Sequence, residues 1–89
     1  MARIIQIKSL DQLGELVRAT RKRQGLRQDE VGRFSHSFIG EVEKGKPTAQ
    51  AGKLLELLRE LGIRVHLELP ADVEPAAATA LAKSRPRKP

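Results

Sequence analysis

Residues 21–46 decide the fold of this 89-residue chain, and they read RKRQGLRQDEVGRFSHSFIGEVEKGK. Two short segments within this stretch carry the signals of helices. Residues 28–33 have acidic side chains in what would be the first turn, and residues 36–44 follow Ser35, a favoured N-cap residue. Gly45 comes directly after the second segment and is typical of a helix C-cap. The stretch therefore predicts two short helices joined by a tight connection.

A longer helix is predicted on each side of this pair. Leucine and valine recur at helical spacing between Ser9, which can cap the helix, and Gly25, so the first covers about residues 10–24. Leucine repeats in the same way up to Gly62, so the second covers about residues 49–61. The sequence therefore predicts a mainly α-helical domain built from four helices.

Residues 63–69, IRVHLEL, alternate apolar and polar side chains without a miss. This alternation predicts a C-terminal β-strand whose apolar face consists of Ile63, Val65, Leu67 and Leu69. Residues 3–8 are rich in β-branched side chains and favour a second short strand. A lone strand leaves its backbone groups unpaired, so residues 63–69 must pair with residues 3–8 or with the same strand of another subunit. Both partners stay open from the sequence pattern, although a core this small favours a homodimer.

The composition changes after Pro70. Alanine and proline dominate from there, and the chain closes with the basic run KSRPRKP. Such a segment has too few large apolar groups to offset the entropy lost on ordering. We therefore predict one helical domain over residues 1–70 and a disordered basic tail over residues 71–89, in which residues 76–83 can form a transient helix.

Charge and cysteine content limit the function. The chain has 17 Lys and Arg against 11 Asp and Glu, a formal charge of +6 that favours an anionic partner such as nucleic acid. The absence of cysteine excludes a disulfide scaffold, a zinc finger and a thiol nucleophile, and it fits a reducing compartment. No apolar run approaches the roughly 18 residues of a membrane span. We therefore expect a cytoplasmic protein without membrane contact.

Three arrangements imitate catalytic or ligand sites but lack the required chemistry. Residues 40–46 look like a phosphate-binding loop, yet Pro47 stands where a hydroxyl must bind magnesium. Ser35 and Ser37 have no histidine with a carboxylate partner to activate them. His66 lies on the polar side of its predicted strand, where a solvated residue is the better interpretation than a metal ligand. We therefore predict no catalysis, no cofactor and no metal.

The spacing of residues in the central stretch resembles that of phage-repressor-type (XRE) helix-turn-helix proteins. The matching patterns are Arg21-x-x-x-Gly25-Leu26-Arg27-Gln28-Asp29-Glu30-Val31 and Ser35-x-x-x-Ile39-x-x-Val42-Glu43-Lys44-Gly45-Lys46. The continuation from Glu43 to Ala49, then a leucine-rich helix and a strand, is similar to HipB-type antitoxins. The resemblance covers about residues 9–69. It implies a phage-repressor-like four-helix domain whose second short helix enters the major groove of DNA.

The resemblance assigns DNA contacts to eight residues of this sequence. It places Gln28 against a phosphate, where it also braces the second short helix, and it places Lys44 and Lys46 against phosphates beyond that helix. The base-reading face comprises Ser35, His36, Ser37, Gly40 and Glu41. Arg21 and Glu43 match a structural ion pair that holds the helices of the family together.

The chain departs from the family pattern between Gln28 and Ile39. These residues are eleven positions apart, about three fewer than usual, and Gly32 replaces the small alanine of the first short helix. Three residues are nearly one helical turn, so either this helix ends early or the angle between the helices changes. His36 keeps an alternative interpretation as an ordinary surface histidine.

The HipB-type resemblance implies a function and its partners. Such a protein binds a palindromic operator in double-stranded DNA as a homodimer, represses its own operon and neutralises a HipA-like serine/threonine kinase toxin. We therefore predict the antitoxin of a type II toxin–antitoxin pair. Two alternatives stay open, a stand-alone XRE-type transcriptional repressor and a toxin-binding protein-interaction module that has lost DNA binding.

Overall fold

The computed structural model describes residues 2–84, which form four α-helices and two short 3₁₀ helices. The α-helices are α1 (Leu10–Arg23), α2 (His36–Glu43), α3 (Ala51–Glu60) and α4 (Glu74–Lys83), and the 3₁₀ helices are Gln28–Glu30 and Ala71–Val73. The mainly α-helical architecture is therefore confirmed. The ends of α1, α2 and α3 lie within two residues of the predicted ends.

The α-helix predicted over residues 28–33 is wrong in length and type. Only the 3₁₀ helix Gln28–Glu30 forms, and Val31 then leaves the helical region with φ −93° and ψ 94°. Gly32 follows with φ +50°, a left-handed conformation that glycine adopts readily and that cannot continue a helix. The shortened spacing between Gln28 and Ile39 therefore corresponds to an early end of this helix.

Helix α1 has both of its ends satisfied by local groups. Ser9 Oγ accepts a hydrogen bond from the backbone N–H of Gln12 at 3.2 Å, an N-cap contact that typically stabilises a helix by about 1 kcal/mol. Asp11 lies in the first turn and basic residues fill the last turn, as the helix dipole favours. Gly25, with φ +74°, then turns the chain away.

The core is small and aliphatic. It consists of Val17, Val31, Ile39, Val42, Leu57, Leu58 and Leu61. Phe34 and Phe38 pack against it, with their ring centroids 5.9 Å apart. Each fully buried aliphatic side chain stabilises the fold by about 1.5–3 kcal/mol, so this cluster, which draws on α1, α2 and α3, holds these helices together.

Helices α1 and α2 approach each other most closely at Gly14, which is buried in the middle of α1. A Cβ atom placed on Gly14 would lie 2.5 Å from the carbonyl oxygen of Val42 and 2.6 Å from that of Glu43. Real Cβ atoms essentially never come within 3.0 Å of backbone atoms. Only glycine therefore allows this separation between the two helices.

Neither predicted strand forms in the single chain. Residues 2–8 and 63–70 have no regular secondary structure, and within residues 2–84 no backbone–backbone hydrogen bond involves residues 64–69. Of the two partners considered for residues 63–69, residues 3–8 of the same chain do not pair with them. The alternation of side chains describes which face is apolar, but a strand also needs a hydrogen-bonding partner, which residues 2–84 of one chain do not supply.

Within the segment predicted to be a disordered tail, the 3₁₀ helix Ala71–Val73 leads into α4, which includes the predicted transient helix over residues 76–83. Pro75 in the first turn and the alanines that follow are favourable for a helix. Only Ala77 of α4 is even partly buried, so local propensity rather than packing forms this helix. The last five residues of the predicted tail, 85–89, lie outside the described residues.

No helix within residues 2–84 is long and apolar enough to cross a bilayer.

Candidate nucleic-acid interface

Helix α2 divides its side chains between the core and the solvent. Its inner face holds Ile39, Val42 and Glu43, all buried. The residues of its outer face recur three or four positions apart along the helix and are exposed or half-buried. They are His36, Ser37, Gly40, Glu41 and Lys44. Ser35 caps the helix, because its Oγ accepts a hydrogen bond from the Phe38 amide at 3.1 Å. The residues assigned to base reading therefore lie on or next to one outward surface of one short helix.

Arg21 of α1 reaches Glu43 at the end of α2. Arg21 Nε donates to Glu43 Oε2 at 2.6 Å, and a second guanidinium nitrogen donates to Oε1 at 3.1 Å. The remaining terminal nitrogen donates to the carbonyl oxygen of Leu26 at 2.8 Å. The two side chains are only 8% and 5% exposed. This bidentate pair therefore ties α2 to α1 and to the loop that follows α1.

Gln28 joins the same group from the 3₁₀ helix. Its Nε2 donates to Glu43 Oε1 at 3.1 Å, so Glu43 accepts three hydrogen bonds in all. A Cβ atom placed on Gly40 would lie 3.8 Å from the Gln28 amide group, so Gln28 also lies alongside α2. The Arg21–Gln28–Glu43 cluster thus connects three elements through one carboxylate. Within residues 2–84, no buried side-chain nitrogen or oxygen lacks a hydrogen-bond partner.

The Arg21–Gln28–Glu43 cluster sets the ionisation of its members. Burial by itself raises the pKa of Glu43, but the hydrogen bonds from Arg21 and Gln28 and the nearby positive charges outweigh burial and hold the pKa below its ordinary value. The hydrogen bond from Arg21 to Glu43 raises the pKa of Arg21, so the guanidinium stays charged. The pair is therefore ionised in the folded protein at neutral pH.

This ionisation predicts acid sensitivity. Because the pKa of Glu43 is lower in the folded than in the unfolded state, its contribution to stability is complete above the unfolded value of about 4.3 and is lost as the pH falls through the folded pKa. We expect the urea midpoint to fall between pH 6 and pH 3. Carbon-13 NMR titration of the Glu43 carboxyl should show a pKa below the ordinary value of about 4.3. A Glu43 pKa at or above that value would contradict the assignment.

Lys44 and Lys46, the two lysines predicted to contact phosphates beyond α2, differ from each other in their surroundings. Lys44 is the exposed C-cap residue of α2. Lys46 Nζ lies 3.1 Å from Glu41 Oε2, with both side chains close to half exposed. An ion pair this exposed contributes about 0–1 kcal/mol, so the Lys46 side chain can exchange Glu41 for another anion at little cost.

The first turn of α2 lies beside the 3₁₀ helix, and together they line a shallow concavity. Its walls are formed by Arg21, Arg27, Gln28, Asp29 and His36. Arg27 forms ion pairs with Asp29 at 3.1 Å and with Glu30 at 3.7 Å. The sequence did not predict that Arg27 and Asp29 line this concavity. Their positions next to Gln28 are the only feature of the sequence that points to it. Gln28 and His36 therefore line one surface, although the predicted helix that begins at Gln28 ends early.

Of the residues assigned to the predicted strand, Val65, Leu67 and Leu69 are 53%, 81% and 46% exposed in the single chain, while Ile63 packs against the core. Within residues 2–84, no group of three metal-ligating side chains is placed to hold an ion.

Comparison with known proteins agrees with this geometry. The HTH-type transcriptional regulator y4mF of Sinorhizobium fredii (strain NBRC 101917 / NGR234), described as uncharacterized, is 44% identical over 70 residues, which is 75% of this chain and 92% of y4mF. A chain in the solved structure of the HipA–HipB–O2–O3 complex has the same fold, with a TM-score of 0.67 at 19% identity over 73% of this chain and 96% of that chain. No protein-family model matches. The predicted resemblance to helix-turn-helix proteins is confirmed, and the chain belongs to the HTH-type transcriptional regulators.

Proposed function

We propose that this protein is a DNA-binding antitoxin that represses its own operon and neutralises a HipA-like kinase toxin. The observation that supports DNA binding most directly is the division of α2, whose inner face is locked by the core and the Arg21–Gln28–Glu43 cluster while its outer face is polar and accessible. A rigid, outward helix of this kind fits the major groove of B-DNA, which is about 12 Å wide.

The outer face of α2 has the chemistry to read base edges. His36 and Ser37 can donate hydrogen bonds to acceptors on bases, and Glu41 can accept one from a cytosine amino group. Gly40 carries no side chain, so the groove wall can approach the helix there. Lys44 and Lys46 come directly after the outer face of α2 and would bind the phosphates that flank the groove, and each phosphate contact makes affinity fall with salt.

A homodimer would place two such helices on one operator. Reading heads related by a two-fold axis and spaced about 34–36 Å apart meet successive major-groove faces of a palindrome. The exposed apolar side chains of residues 63–69, together with their unpaired backbone, support strand pairing between two copies. The kinase partner is proposed from the shared fold with a chain of the HipA–HipB–O2–O3 complex.

Binding to the DNA upstream of the gene tests the regulatory half of this proposal. In a gel-shift titration at salt concentrations from 50 to 200 mM, we expect tight binding to that DNA and weaker binding to unrelated DNA of the same length. Equal affinity for both would exclude operator specificity.

Co-expression with a kinase encoded by the adjacent reading frame tests whether the protein neutralises a toxin. Rescue of growth and co-purification with the kinase are expected from an antitoxin.

Two single substitutions should separate base reading from phosphate binding. We expect His36→Ala to cost about 1–3 kcal/mol on operator DNA and little on unrelated DNA, because it removes a base contact. We expect Lys44→Ala to weaken binding to both DNAs and to reduce the slope of log affinity against log salt by about 1. Each variant is the control for the other. A His36→Ala protein with unchanged specificity would show that His36 is an ordinary surface residue.

A further inference from the structure

Residues 63–69 are anchored at one end and open along the rest. The Ile63 amide donates to the Leu58 carbonyl at 2.8 Å, which fixes where the segment leaves α3. Beyond it, the backbone groups of residues 64–69 take part in no backbone–backbone hydrogen bond within residues 2–84. One face is apolar and the other carries Arg64, His66 and Glu68. This arrangement suits a strand that pairs with another strand.

The alternation restricts how two copies of this segment can pair. Opposed residues of an antiparallel pair lie on the same face of the sheet, so apolar residues must face apolar residues. Only registers in which a residue on the two-fold axis faces its own copy satisfy this condition. Near the middle of the segment, these registers place Val65, His66 or Leu67 on the axis.

The register centred on His66 gives a complementary partner to every side chain of the segment except His66, which faces its own copy on the axis. Val65 then faces Leu67 of the second copy, and the outermost apolar residues, at positions 63 and 69, face each other. Arg64 faces Glu68 of the second copy, and this pair occurs twice because of the two-fold symmetry. Unlike charges directly opposite one another stabilise a strand pair.

The other two registers leave part of the segment without a suitable partner. With the axis at Val65, Leu69 would face a residue at the end of α3, and Arg64 would face His66. With the axis at Leu67, Arg64 would face Pro70, which has no amide hydrogen to donate. Residues 3–8 are also a poorer partner than a second copy, because their charged side chains are all basic and none can pair with Arg64.

We propose that, in the homodimer paired through residues 63–69, the two-fold axis lies at His66 and two Arg64–Glu68 ion pairs between the copies fix this register. The inference rests on the proposed homodimer and specifies how it assembles. The side chains concerned are exposed in the single chain, so substitutions among them are expected to leave the monomer folded.

Single cysteines report on the register, because the natural chain contains none. On the axis, the two copies of residue 66 have Cα atoms about 4.5–5.5 Å apart, which a disulfide can bridge. The copies of residue 65, and those of residue 67, are separated by about 8 Å, since they are offset by two residues along the strands. Under mild oxidation of the full chain, we expect His66→Cys to form a covalent dimer about tenfold faster than Val65→Cys or Leu67→Cys.

The outcomes distinguish this proposal from the proposed homodimer. Fastest cross-linking of Val65→Cys or Leu67→Cys would overturn the register. A wild-type chain that sediments as a dimer while none of the three variants cross-links would overturn strand pairing at this segment and leave the homodimer standing. A wild-type chain that sediments as a monomer at all concentrations tested would overturn both.

Charge reversal tests the ion pairs between the copies. Arg64→Glu and Glu68→Arg each replace two attractive pairs in a homodimer by two repulsive ones, so each dimer dissociation constant should rise by about tenfold. Mixing the two variants restores both attractive pairs, and we expect the heterodimer to form in preference to either homodimer. The protein carrying both substitutions should dimerise like the wild type. Homodimers of the single variants that are as stable as the wild type would overturn the proposed pairs.

Discussion

Gly14→Ala is expected to destabilise the domain by about 3 kcal/mol, near the upper end of the range for overpacked cores. The new methyl group would lie 2.5 and 2.6 Å from two carbonyl oxygens at the end of α2. These atoms belong to backbone that is held by the core and by the Arg21–Gln28–Glu43 cluster, so they cannot move aside as a flexible side chain can. Helices α1 and α2 must separate instead. The gain of about 1 kcal/mol in helix propensity from glycine to alanine does not compensate.

Gly52→Ala is the matched control for this prediction. Gly52 also lies in a helix, α3, and a Cβ atom placed there meets no atom within 4 Å. We expect it to stabilise the protein by about 0.4–1 kcal/mol, because alanine has less freedom to lose on folding. Urea unfolding followed by circular dichroism compares the two. If Gly14→Ala were as stable as Gly52→Ala, the close approach of α1 and α2 would be wrong.

Glu43→Gln is expected to cost about 3–5 kcal/mol, the range for breaking a buried ion pair by removing one charge. The substitution leaves the buried Arg21 guanidinium opposite a neutral amide, and it weakens the contact from Gln28. Small domains have only about 5–15 kcal/mol of stability, so most of the margin of this one would be lost. The thermal midpoint and the urea midpoint at pH 7 should both fall sharply.

The exposed carboxylate of Glu41 provides the control. Glu41→Gln removes a pair with Lys46 that is close to half exposed, so the change should stay within about 1 kcal/mol. A double variant, Arg21→Met with Glu43→Met, should be less destabilised than the sum of the two single variants, since no unpaired charge remains. Equal stabilities of Glu43→Gln and Glu41→Gln would show that the cluster does not hold α2 in place.

Helices α1, α2 and α3 could be predicted from the sequence because local signals mark their ends. Ser9 and Ser35 are N-caps in the structure, and Gly25 and Gly45 have positive φ angles after the helices. The segment after Gln28 carried similar signals, yet its helix is a single 3₁₀ turn. The chain leaves the helical region at Val31, and Gly32 then adopts a left-handed conformation; local composition does not reveal where this turn begins.

The candidate site was predictable where it depends on helical spacing and not where it depends on loops. The outward residues of α2 follow from which positions of that helix are apolar. Arg27 and Asp29 reach the same surface only because the chain turns after α1, a placement that spacing along one helix does not describe. Residues 63–69 have the alternation of a strand, but alternation does not specify a hydrogen-bonding partner, and within residues 2–84 residues 64–69 have none.

The division of α2 into a core-facing side and an outward side has an evolutionary consequence. His36, Ser37 and Glu41 lie outside the aliphatic core, so under the proposed function substitutions there change which operator is bound and leave the fold intact. A duplicated gene could thus acquire a new target through a handful of surface changes. Divergence among such paralogues should concentrate at these positions, whereas Gly14 and the Arg21–Glu43 pair should resist replacement.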